Sequence, residues 1–409
     1  MNRLSARSER TRADRVRAWA ALATMGWLCA CGSRPASAGD ARADSTSASA
    51  TNVESTAAQG TSSCVASATS LTPSSWRPTE ISGAAASTPR PSALRQVAER
   101  PLPGPANRFD YQSIDPALRR LYISHMNAGR LVVFDLDSSR VVREVVGLDR
   151  ATGVWAVPAH HAVYVSAAGR HEVAIVDDRT FDVAARVAGV RFPDGIAYAP
   201  EADKVFVSDE SGEADVVIDA RTLRKRATIA LDGEAGNTHY DSVSKCILVA
   251  VQTRDQLVAI DPGTERVVAR YEVAGVEGPH GFTLDEPGRL AFVTGEGNAT
   301  LAVVDLRTMR VMQRLRVGDD PDVLAWDATW RRLYVASESG VLSAFSATAD
   351  TLAPLDEWRA PHAHTVSVDP RTHRVYLPLE SACVRCSACW IRRPDLVSEL
   401  ATPHVTSHS

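Results

Sequence analysis

Imidazole and carboxylate side chains, which bind divalent cations or pass protons near neutral pH, recur at a fixed interval along this 409-residue chain. Asp110, Thr152, Asp194, Gly236, His280, Asp322 and His364 are separated by 42, 42, 42, 44, 42 and 42 residues. If the chain closes on itself, His280, Asp322, His364 and Asp110 form an unbroken arc, and Asn237, His239 and Asp241 stand beside the Gly236 position. Brought to one rim, Asp110, Asp194, His239, His280, Asp322 and His364 are candidate ligands for a divalent metal or a small molecule. An ordinary alternative stands beside this one. Pro193-Asp194-Gly195 and Pro321-Asp322 are also turn sequences, in which an aspartate accepts hydrogen bonds from the backbone that follows.

Cysteine offers a second constellation. Cys383, Cys386 and Cys389 form C-x2-C-x2-C, one ligand short of a closed zinc site, and a disulfide within the cluster is the alternative in an oxidising compartment. Ser387 and Trp390 stand where covalent haem attachment would need His. Cys246, just before the apolar run ILVA in a blade-4 strand, reads as a small buried hydrophobe, and Cys64, alone in a Ser-rich stretch, as an incidental thiol.

The elements that would position these residues are short strands. Tyr122 (LYIS), Tyr164 (VYVS), Phe206 (VFVS), Leu248 (ILVA), Phe292 (AFVT), Tyr334 (LYVA) and Tyr376 (VYLP) keep the same period. So does a second series, Asp135, Asp177, Asp219, Asp261 and Asp305, each closing a run such as VVFD or AIVD. A repeat of about 40 to 45 residues built only of strands and turns is the pattern of propeller blades. The expectation is an all-β, seven-bladed β-propeller with four-stranded blades. In blade 3 the strands would be Gly195 to Ala199, Lys204 to Ser208, Ala214 to Asp219 and Arg226 to Ala230. The last unit lacks room for four strands, so Leu94 to Leu102 is expected to close the ring as an N-terminal strand.

The LYIS, VYVS and LYVA segments with their following VVFD-type strands resemble the YVTN-repeat (YncE-like) propellers, over roughly Leu94 to Pro394. That resemblance implies a fold and leaves the ligand open. Gly278-Pro279-His280-Gly281 is similar to a turn of the streptogramin lyase propellers, which implies His280 as a catalytic base in a metal-dependent lyase or lactonase. A redox partner resembling the haem-d1 nitrite reductase and amine dehydrogenase propellers would need a cofactor motif of its own, and none is found.

Both ends of the chain differ in character from the repeat. Six arginines precede the apolar run Ala18 to Ala30, which is too short to span a bilayer and reads as an export signal over residues 1–30. It ends in Leu28-Cys29-Ala30-Cys31, which resembles the bacterial lipobox and implies lipidation of Cys31, with Gly32 favouring the outer membrane; cleavage near Ala36-Ser37-Ala38 is the alternative. Residues 31–91, rich in Ser, Ala and Thr, read as a disordered tether, residues 92–394 as the propeller, and residues 395–409 as a flexible tail.

The formal net charge is −4 and becomes more negative once the Arg-rich leader is removed, so nucleic acid is not an expected partner. The expected function is a membrane-tethered binding or scaffolding module in the periplasm or on the cell surface. Its partner would be an envelope protein or a small ligand, with no cofactor required beyond a divalent metal at the rim.

Overall fold

The structure, a computed structural model, describes Cys64, residues 94–349, 351–361 and 363–380, and the backbone of Ser387–Pro394. Cys31, Cys383 and Cys386 fall outside the described residues, and Cys389 is described only through its backbone, which pairs with Arg100 and Pro378. All described residues belong to the compact unit Gln59–Ser409.

The fold is an all-β propeller with four-stranded blades. Six antiparallel sheets each use four consecutive strands, as in blade 5: Pro279–Asp285, Leu290–Gly295, Thr300–Asp305 and Arg310–Arg316. Blade 3 runs Pro193–Ala199, Lys204–Asp209, Ala214–Asp219 and Arg224–Ala230, within two residues of the boundaries expected from its turn residues. The seventh repeat unit is built differently. Its sheet takes Ser367–Val368, Val375–Leu379 and Ser387–Pro394 from one end of the domain and Leu94–Leu102 from the other. There Leu94 pairs with Pro394 and Leu102 with Ser387. Ser367–Val368 lies against the innermost strands of blades 6 and 1, Pro321–Asp327 and Gln112–Asp115.

Strand composition follows from this stacking. A middle strand such as Ala162–Ala167 is sandwiched between neighbouring blades and is buried at every position, whereas the outermost strand Arg266–Glu272 alternates between exposed and half-buried residues. The repeat aromatics Tyr122, Tyr164, Phe206, Phe292, Tyr334 and Tyr376 are fully buried between blades, each worth about 1.5–3 kcal/mol of hydrophobic stabilisation. The core is therefore a ring of inter-blade layers; in one of them Tyr164 of blade 2 packs with Ile196, Val205 and Val207 of blade 3.

At the far end, where the innermost strands finish, neighbouring blades are joined by charge. Arg289 of blade 5 binds Asp241 of blade 4 through two contacts of 2.6 and 2.7 Å. Arg331 of blade 6 reaches Asp285 of blade 5 at 3.2 Å, and His373 of the seventh sheet reaches Asp327 of blade 6 at 2.8 Å. Arg119 of blade 1 closes the series with a bidentate pair to Asp369 of the seventh sheet, at 2.8 and 2.6 Å. All four of these residues, Arg289, Arg331, His373 and Arg119, have positive φ, between 49° and 58°. This left-handed conformation is disfavoured for side chains with a Cβ, and here it aims each side chain back at the preceding blade.

One expectation about cysteine is overturned. Cys64 and Cys246 form a disulfide across 182 residues of sequence, with a Cα–Cα distance of 5.0 Å. Cys64 is thus not an incidental thiol, nor is Cys246 only a buried hydrophobe. Cys246 opens its strand opposite Asp241, so the bond pins the N-terminal segment to the far end of blade 4. Nothing periodic marks such a pairing, because Cys64 lies outside the repeat.

Candidate functional site at the mouth of the propeller

At the other end, the mouth, the innermost strands begin. The pairing of innermost and second strands slips register at this point, between Pro193 and Ile196, Pro279 and Phe282, and Pro321 and Val323. Proline has no amide hydrogen to continue a ladder, and a bulge turns the next side chain out of the sheet. The same slip falls between Ala151 and Val154 and between Ala235 and Thr238, so the bulge, with proline or without, turns Asp194, His280 and Asp322 to face the mouth. Glycine allows the blades to approach: a Cβ on Gly153 would lie 1.8 Å from the carbonyl oxygen of Asp194, and one on Gly281 would lie 1.7 Å from that of Asp322.

Five of the six rim candidates converge. His280 Nε2 lies 3.4 Å from Asp322 Oδ1 and 3.9 Å from Asp194 Oδ2. On the other side of the same carboxylate, His364 Nε2 is 3.9 Å from Asp322 Oδ2 and 3.7 Å from Asp110 Oδ1. His239 is separate. It lies further along its strand, edge-on to Phe282 with ring centroids 4.7 Å apart, and burial pulls its imidazole down to about 4, so it is neutral. Thr152, the blade 2 member of the series, is engaged by the next blade, donating to Pro193 O at 2.7 Å.

The turn alternative belongs to different aspartates. In the second repeat series, Asp135, Asp177, Asp219, Asp261 and Asp305 each accept backbone N–H bonds two or three residues on, from Ser138, Thr180, Thr222, Gly263 and Arg307, at 2.7 to 2.9 Å. Asp110, Asp194 and Asp322 instead face ionisable side chains across the mouth.

Residues that the repeat analysis did not single out complete the site. Tyr111 stands where blades 2, 3 and 5 have Gly153, Gly195 and Gly281. Its hydroxyl lies 3.1 Å from Asp194 Oδ2 and 3.2 Å from His280 Nε2, linking blades 1, 3 and 5. Glu210, Glu296 and Glu338 follow the repeat aromatics Phe206, Phe292 and Tyr334 by four residues. Counting forward from those markers would have found them. Glu296 Oε1 is 3.8 Å from His280 Nδ1. Arg108 pairs with Glu338 at 2.8 Å and lies 3.9 Å from Asp322.

Burial and mutual repulsion dominate the electrostatics. Burial, then the Asp110 charge, raises the Asp194 carboxyl well above the usual carboxylate range. Burial also raises Glu210 and lifts Glu296 to about 7. For His280 burial opposes protonation, but Glu296, Asp322 and Asp194 outweigh it and hold the ring protonated. His364 is raised likewise, burial being outweighed chiefly by Asp110. Asp322 is held down despite burial by His280, His364 and Arg108. A protonated His280 donates to the Tyr111 oxygen, leaving the phenol, itself raised by burial and Asp194, to donate to Asp194.

Such a mouth can bind a cation, hold a metal or relay a proton. Asp110, Asp322 and His364 offer ligand atoms within 4.8 Å of one another, and so do His280, Glu296 and Asp322.

No protein-family model and no curated protein matches the chain. Among solved structures it is similar to a chain of Kuenenia stuttgartiensis hydrazine synthase, with a TM-score of 0.58 and 16% identity over 69% of this chain and 95% of that one. At that identity the likeness is one of fold alone.

Proposed function

We propose that this chain is an exported, membrane-tethered β-propeller of the YVTN-repeat type that binds a ligand at its mouth, its seventh blade completed by Leu94–Leu102. One observation carries the binding reading: the mouth gathers buried polar atoms without hydrogen-bond partners, among them Asp322 Oδ1, His280 Nδ1 and His364 Nε2. Single unpaired hydroxyls, such as those of Tyr122, Tyr164 and Tyr334, also lie between blades, whereas at the mouth unpaired ionisable atoms converge from several blades, which favours a ligand that completes them. The surplus of carboxylates over cations favours a ligand with positive charge, either a small molecule or the basic side chain of an envelope protein. Export is supported by the Cys64–Cys246 disulfide, a bond of oxidising compartments, and lipidation at Cys31 rests on the lipobox resemblance of Leu28-Cys29-Ala30-Cys31.

The experiment is native mass spectrometry of the full chain released gently from membranes. A bound mass should be present on the parent and lost from an Asp194→Asn/His280→Gln double variant, while Cys31→Ser should leave the membrane fraction. Identical ligand-free masses for parent and variant would overturn the binding reading, and unchanged fractionation of Cys31→Ser would overturn the anchor. A lyase or lactonase is the second reading, favoured by the contact of His280 with Tyr111, which sets a protonated imidazole and a phenol side by side at the mouth as proton donors. It predicts turnover of a cyclic ester that His280→Gln abolishes.

A further inference from the structure

We propose that the mouth is a mononuclear site for a divalent transition metal, with Asp110, Asp322 and His364 as its protein ligands; this deepens the binding reading above and rests on it. These three residues come from blade 1, blade 6 and the seventh sheet, and all are buried, His364 to 5% exposure and Asp322 to 4%. His364 Nε2 has no hydrogen-bond partner. Its distances to Asp110 Oδ1 and Asp322 Oδ2, 3.7 and 3.9 Å, are too long for N–H···O bonds. They are the separations expected of donors sharing one ion, because ligands bound at about 2.0–2.2 Å stand about 3 to 4 Å apart. Both carboxylates thus stand from His364 at a spacing that an ion would bridge and too far to satisfy Nε2, and the three ligand atoms lie within 4.8 Å of one another.

The surrounding charges fit the same ion. Asp322 turns Oδ2 to His364 and Oδ1 to His280, so His280 can orient the ligating carboxylate from outside, as groups around a metal centre commonly do. Arg108, the nearest fixed cation, is drawn aside by Glu338 at 2.8 Å and stays 3.9 Å from Asp322. One imidazole and two carboxylates suit Mn(II), Fe(II) or Zn(II). Three protein ligands leave coordination positions for water or for an oxygen of the bound molecule.

The test uses the full chain and the metal alone as probe. Chelator-free protein should carry, or take up from added Mn(II) or Zn(II), one equivalent per chain. Asp110→Asn and His364→Gln should each weaken uptake by about 100-fold or more, a loss beyond the 10- to 100-fold typical of outer positions. Glu357→Gln, exposed on the outermost strand of blade 6 and away from the mouth, should keep the metal. If the ligand variants do not fold, electron spin-echo spectra of the Mn(II)-loaded parent decide, with coupling to one imidazole nitrogen expected. Uptake below one equivalent at millimolar metal, equal affinity in the variants, or coupling to no nitrogen or to two would each overturn the proposal. A molecule bound at the mouth of a metal-free chain would sink this site and leave the binding reading standing.

Discussion

At the far end of the propeller, Asp241, Asp285, Asp327 and Asp369 each meet an arginine or histidine from the following unit at 2.6 to 3.2 Å. At the mouth, Asp110, Asp194 and Asp322 meet histidines at 3.4 to 3.9 Å, and Glu210, Glu296 and Glu338 surround them. The aspartates of the two sets stand at two equivalent positions of one repeat, at opposite ends of the innermost strands, and blade 6 carries both in Asp322 and Asp327. The far end gives four of these carboxylates a basic partner, as an architecture does when side chains join its units, while Asp115 of blade 1 holds only the backbone of its own turn through Oδ1. The mouth concentrates charge and leaves atoms unpaired, which costs stability and is retained where a ligand supplies what is missing.

Breaking the far end at the ring closure should have the largest effect. Asp369 is fully buried and Arg119 nearly so, and the pair joins blade 1 to the seventh sheet. Removing one partner of such a pair leaves an uncompensated buried charge, so Asp369→Ala should destabilise by about 3–5 kcal/mol. Arg119→Gly should cost nearly as much, although glycine would relieve the positive φ of 55° at that position. Urea denaturation measures both. A loss under about 1 kcal/mol would mean that the ion pair does not hold the closure.

The disulfide comes next. Cys246→Ser should lower stability by about 2–4 kcal/mol, and the parent should lose a similar amount in reductant while the variant is indifferent to it. Equal denaturation midpoints with and without reductant would place the bond outside the folding unit.

The blades and the rim positions were legible because propeller geometry forces one period on every layer. Strands stacked between neighbours must repeat, so counting back from Tyr334 and Tyr376 locates Asp322 and His364. The same counting carried to Glu296 and Glu338 reaches the outer mouth. What it misses breaks the period: Tyr111 replaces a glycine, Arg108 enters from the segment before blade 1, and Cys64 joins the core from outside the repeat. His239 shows the opposite error, since proximity to a rim position in sequence put it in a set from which its strand register removes it.

The comparison sharpens when the same chemical change is made at each end. Asp194→Asn removes a carboxyl that burial disfavours in its charged form, so stability should be unchanged or rise by up to about 1 kcal/mol, a stability–function trade-off. Asp369→Asn should be destabilising. Thermal denaturation of the two variants reads the difference, and losses of equal size would erase the distinction between the ends.

The smallest effect is one of pH. The Asp369 carboxyl is held at about 2, despite burial, by Arg119 and Thr372. A depressed carboxylate contributes stability fully present above its unfolded value near 4, and that stability disappears as pH falls toward 2. Glu296 runs the other way. Burial raises it to about 7, so its contribution is complete below the unfolded value of about 4.3 and is lost as pH rises through about 7. Measured in chelator, the parent should therefore weaken on both limbs. Glu296→Gln should flatten only the alkaline limb and Asp369→Asn only the acid one. Because Glu296 is partly exposed and solvent screens it, its limb should be the shallower. An alkaline limb that persists unchanged in Glu296→Gln would assign that loss to another group at the mouth, Asp194 first among them, since burial and Asp110 raise it as well.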